Sequence, residues 1–94
     1  MLTPSIHLNG TAGQDLLDQI DGVARALRAT IEAMADAAPN ARDYYPQGDD
    51  AYYRARNAHQ NRAGRIREML KEYEALAESI SDEMETQAAR KRRA

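Results

Sequence analysis

From Leu16 the apolar positions step by four and three, through Ile20, Val23, Leu27, Ile31 and Met34, with Leu17 and Ala24 widening the stripe. That spacing predicts an amphipathic helix with one buried face. Pro39 ends it, because the residue before a proline is pushed out of helical geometry, so the first helix is predicted over about 12–37. Thr11-Ala12-Gly13-Gln14 fits a capping box at its start, and Asp15, Asp18 and Asp21 crowd the turns where the helix dipole favours carboxylates. Asp21 and Arg25, four apart, are expected to pair on the exposed side.

A second rhythm runs through Ile66, Met69, Leu70, Tyr73, Leu76, Ala77, Ile80 and Met84. Between Asp49 and Arg90 there is no proline, and the only glycine is Gly64. Asp49 and Asp50 at the start and Arg90-Lys91-Arg92-Arg93 at the finish suit the helix dipole. The pattern predicts a helix over about 49–90, roughly 60 Å long at the helical rise, followed by a basic tail at 90–94. In the connecting loop, 38–48, Pro46 is expected to hold Tyr45 extended and Gln47-Gly48 to turn the chain, with Asp49 capping the second helix. A loop this short predicts two antiparallel helices.

Side by side, Met34 falls near Arg54, Leu27 near Asn61 or Arg62, Val23 near Ile66, Ile20 near Met69 and Leu16 near Tyr73. Leu76 through Met84 then project past the first helix. An extended N-terminal arm (1–10), ending in the turn signal Asn9-Gly10, would cover part of that overhang with Ile6 and Leu8, and another subunit the rest. The spacing of Ile66, Tyr73, Ile80 and Gln87 suits bundle packing. The expected fold class is therefore all-α: one domain, 1–94, built as an antiparallel two-helix hairpin with a long second helix and assembled as an oligomeric helical bundle.

Composition strengthens the need for a partner. The chain has no Trp, Phe or Cys, and much of its apolar content is alanine, so a lone copy is expected to be marginally stable with no disulfide or cysteine-bound zinc to help. No apolar run approaches the ~20 residues of a membrane span, and the N-terminus lacks a signal peptide's basic start and apolar core. A soluble, cytoplasmic protein with no membrane partner is expected.

Net charge is only −2, but the charges come in blocks. Residues 42–67 hold six arginines against Asp43, Asp49 and Asp50, and residues 68–85 hold seven carboxylates against Lys71 alone. The terminal Arg-Lys-Arg-Arg follows that acidic run and reads as a dipole-complementing helix end, so nucleic acid is not expected as a partner. The start of the second helix, Arg54 to Arg65, carries alanines where a buried stripe wants larger residues. Either the first helix packs closely on Ala55, Ala58 and Ala63, or this section lines a polar space. Gly64 costs roughly 1 kcal/mol against alanine, and a close helix contact would explain it.

Catalytic motifs are absent from the sequence. The glycines at 10, 13, 22, 48 and 64 stand singly, so no phosphate-cradling loop is present, and His7 and His59 lack metal-ligand spacing. His7 reads as a solvated residue. Glu68, Glu72 and Glu78 lack the Glu-x-x-His spacing of a carboxylate-bridged metal site. No enzyme activity, cofactor or metal is expected. One cluster does carry recognition chemistry: Tyr44, Tyr45, Tyr52 and Tyr53, four of the five aromatics, lie within ten positions, with Arg42, Arg54 and Arg56 interleaved and His59 and Arg62 further along. Aromatic faces that stack a base beside guanidinium groups that fork onto phosphate would make a nucleotide pocket. The same tyrosines would equally plug the open end of a two-helix core.

Ile-His-Leu-Asn-Gly-Thr, then a helix, then Ala-Pro-Asn-Ala-Arg-Asp-Tyr-Tyr-Pro-Gln-Gly and a long helix, together resemble small helical-hairpin proteins encoded by tailed phages and prophages. In size and need to oligomerise the chain is also similar to phage sponge proteins, which sequester nucleotide immune signals between subunits. The resemblance implies a viral protein acting in the host cytoplasm. The function expected is non-catalytic sequestration of a small phosphorylated, nucleotide-type ligand by a homo-oligomer. The competing expectation is a structural or interaction module that binds a host or phage protein through the long helix.

Overall fold

A computed structural model of the chain describes residues 2–6 and 12–93. The expectations placed on His7, Leu8, Asn9-Gly10 and Thr11 lie outside the described residues. The described chain is helical, with α1 at Gly13–Asp36, a short α2 at Ala41–Tyr44, a 3-10 turn at Tyr45–Gln47 and α3 at Ala51–Arg93. Residues 2–6 have no regular secondary structure. The molecule is a rod of 71 × 19 × 18 Å. Its radius of gyration is 20.3 Å, where a compact domain of this length would have about 12 Å.

α1 lies along α3 in the opposite direction. Gly13 sits against Met84, Arg28 pairs with Glu74 at 3.1 Å, and the Met34 carbonyl meets His59 at 2.8 Å. This register differs from the expected one by about two helical turns. Met34 faces His59 rather than Arg54, and the start of α1 reaches Met84 rather than stopping near Tyr73. The cause is the connection, which is not a tight reversal: α2 and the 3-10 turn pack on α3 and occupy its first turns.

The shift corrects a central expectation. Leu76–Met84 does not project uncovered: Ile80 has no exposed surface at all, and Leu76, Ala77 and Met84 are half-buried. α1 and the arm supply the cover, with Ile6 beside Gly13 and the Gln87 amide donating to the Ile6 carbonyl. Gly13 is needed there, because a Cβ on it would stand 2.9 Å from Met84 Cγ and 3.1 Å from Ile6 Cδ1. Elsewhere the fit relies on small residues, Ala24 against α3 and Ala63 against α1, both nearly fully buried.

Ala12 precedes α1 without a side-chain cap, and the Gln14 amide donates to the Asp18 carboxylate one turn on at 2.8 Å. Two local expectations change. Asp21 and Arg25 form no ion pair with each other, whereas Arg28 reaches across to α3. Gly64 is not a close-contact site, because a Cβ on it would meet nothing within 4 Å.

Candidate functional site

The tyrosine cluster is built by the connection. After Pro39, the Asn40 side chain accepts the Arg42 N–H at 3.0 Å and starts α2, a cap that relieves one free amide of the first turn. Tyr45 then stays helical at φ −49°, ψ −44°, correcting the extended conformation expected before Pro46. The turn tolerates this proline because it falls at the start of the 3-10 segment, where a missing N–H leaves no bond unmade. Gly48, at φ 111°, makes the reversal that a side chain would resist. α3 follows at Ala51, so Asp50 rather than Asp49 directly precedes it, and the Asp50 carboxylate pairs with Arg54 at 3.3 Å.

These turns bring all four tyrosines to one cleft of about 230 Å³, lined also by Ala41, Gly48 and Asp49. Tyr44 and Tyr52 are half-buried and seal the end of the helix pair, while Tyr53 is 54 % and Tyr45 85 % exposed. The Tyr52 and Tyr53 rings meet edge to face with centroids 5.3 Å apart, and the Arg56 guanidinium lies 5.2 Å over the Tyr53 ring. Plug and platform are thus divided among the four rings.

The cations are placed unequally. Arg42 is exposed beside Tyr45 on an adjoining shallow depression, and Arg56 is held over Tyr53. Arg54 is engaged by Asp50. Arg62 stands ten residues beyond Tyr52 on α3, about 15 Å along the axis. His59 faces α1, where its Nε2 meets the Met34 carbonyl at 2.8 Å. A carbonyl only accepts, so that nitrogen carries the proton and gives a second donor to a carbonyl that also accepts the Ala37 N–H at 3.2 Å. The structure therefore groups the tyrosines with Arg42 and Arg56 and leaves His59 and Arg62 outside. Sequence reasoning missed α2 as the wall of the cleft, although an Asn before a short polar run is a helix-start signal.

Among the described residues no helix is long and apolar enough to cross a membrane, and no three His, Cys, Asp or Glu side chains are grouped to hold a metal ion. The chain matches no protein-family model, no curated protein and no solved structure.

Proposed function

We propose that this chain is a non-catalytic, phage-type binding protein, an antiparallel helical hairpin that self-associates and captures a small phosphorylated, nucleotide-derived ligand at its tyrosine end. The observation that carries the reading is the convergence of Tyr44, Tyr45, Tyr52 and Tyr53 on one cleft. Tyr45 offers an open ring face to a base, and Arg42 beside it offers a fork to phosphate. Asp49 repels phosphate from the cleft itself and directs it to the Arg42 flank. At about 230 Å³ the cleft is smaller than the ~300–1,000 Å³ typical of small-molecule sites, so one copy offers part of a pocket and a second copy completes it.

The test is calorimetry and thermal melting of the purified chain against cyclic and linear nucleotides, with mass spectrometry of what is released. Binding of one class, weakened about ten- to a hundredfold in Arg42→Ala, with ligand recovered intact, is the expected result. No melting shift at millimolar nucleotide, or recovery of hydrolysed ligand, would remove the reading.

A second reading, a module that binds another protein through α3, is favoured by Met69, a large apolar side chain 44 % exposed on an otherwise polar face. It predicts that Met69→Asp abolishes activity while Tyr45→Ala leaves it intact.

A further inference from the structure

We propose that the second copy docks antiparallel on the outer face of α3, about a two-fold axis between residues 66 and 67. Arg65 would meet the partner's Glu68, and Asn61 the partner's Glu72. The inference deepens the self-association in the reading above and is independent of the ligand.

The face is a trough of about 550 Å³ on α3, lined by Asn61, Gly64, Arg65, Glu68, Met69 and Glu72. All are exposed except half-buried Gly64, and α1 lies elsewhere, on Ala63, Ile80 and Met84. Gly64 forms a gap in the trough. A mid-helix glycine is destabilising against alanine, and nothing within this chain requires the missing Cβ, since one would meet no atom within 4 Å. Five positions on, Met69 projects into solvent. At 3.6 residues per turn the two stand about 140° apart around α3, one at each edge of the trough.

The spacing of the lining residues is self-complementary. With the axis level with the 66–67 peptide, Arg65 falls level with the partner's Glu68 and Asn61 with the partner's Glu72, and within each pair the two side chains leave the helix in directions close enough to meet. Four of the six lining residues thus form two complementary pairs, an ion pair and a hydrogen-bonding pair. Each pair occurs twice, as an isologous interface requires.

Charge selects the occupant. Residues 51–66 of α3 carry four arginines and no carboxylate, whereas residues 67–82 carry five carboxylates against Arg67 and Lys71. A parallel partner would set like charges together along the trough, Arg65 beside the partner's Arg65 and Glu68 beside the partner's Glu68. A partner fits when its charge order runs the other way, and reversed α3 has that order. The overlap covers residues 51–82, about 48 Å of helix.

Surface area supports the pairing. The chain exposes 7233 Å², about 1,800 Å² more than the roughly 5,400 Å² of a compact protein of its mass. A standard interface takes about 800 Å² from each partner.

Sedimentation analysis of the full chain and charge-swapped variants gives the test, with helicity followed by circular dichroism to confirm folding. The unaltered chain should be dimeric. Arg65→Glu and Glu68→Arg should each weaken the dimer at least about tenfold, because each homodimer then holds two like-charge pairs. An equimolar mixture of the two variants should form the heterodimer, in which both pairs are again opposite. Effects within a single helix cannot produce that recovery. A mixture that stays monomeric overturns the proposal. A dimer indifferent to all these changes overturns this face while leaving self-association standing, and an unaltered chain that is monomeric removes both. A normal dimer that ignores every nucleotide removes the ligand reading alone.

Discussion

At the end of the rod where the chain begins, Ile80 is sealed from solvent, Gly13 leaves no room for a Cβ, and Gln87 ties down the arm at Ile6. At the opposite end, Tyr45 is 85 % exposed, Tyr53 is 54 % exposed, and Arg54 and Arg56 make only local contacts with Asp50 and Tyr53. Both ends lie on the same pair of helices, yet one packs by excluding water and the other displays aromatic rings to it. Burial at the arm end holds α1 on α3, whereas the exposed rings at the tyrosine end add little to stability.

The largest test of this contrast is Ile80→Ala. Truncating the most buried large side chain should destabilise the fold by about 2–5 kcal/mol in chemical denaturation. His59→Ala should cost less, about 0.5–1.5 kcal/mol, because the Met34 carbonyl loses one donor and keeps the Ala37 N–H at 3.2 Å. Tyr45→Ala should change stability by no more than about 0.5 kcal/mol, as expected of an exposed side chain. If Tyr45→Ala lowered the denaturation midpoint as far as Ile80→Ala, the division between the two ends would collapse.

Much of the helical content was legible because it rests on short-range rules. The Leu16–Met34 stripe and Pro39 place α1 at Gly13–Asp36 against an expected 12–37, and the long proline-free run gives α3 at Ala51–Arg93 against 49–90. The register was not legible, because it depends on how the connection folds. Reading 38–48 as turn formers missed the cap that Asn40 gives to α2. The extra helical turns shift α1 along α3 until it covers Ile80. Gly13 and Gly64 show the same limit in miniature. Both are helical glycines, yet Gly13 is crowded by Met84 and Ile6 while Gly64 faces open space, and no local pattern distinguishes them. At the tyrosine cluster, sequence proximity brought the four rings together correctly but could not assign His59, whose partner lies 25 residues away.

The arm's attachment also bears on how the chain folds. The His59–Met34 contact closes 25 residues, whereas Gln87 and Ile6 are 81 apart. Closing the longer loop from the unfolded chain costs about 1 kcal/mol more entropy, so the helices are expected to zip from the tyrosine end towards the arm. Ile80 then docks late, after the transition state, and His59 early. The loss in Ile80→Ala should therefore appear mainly as faster unfolding, and the loss in His59→Ala as slower folding, in stopped-flow measurements. The opposite assignment would mean that the zipper starts at the arm. Under the expected order, the last contacts to form are also the first to open, so the chain unzips from its own beginning.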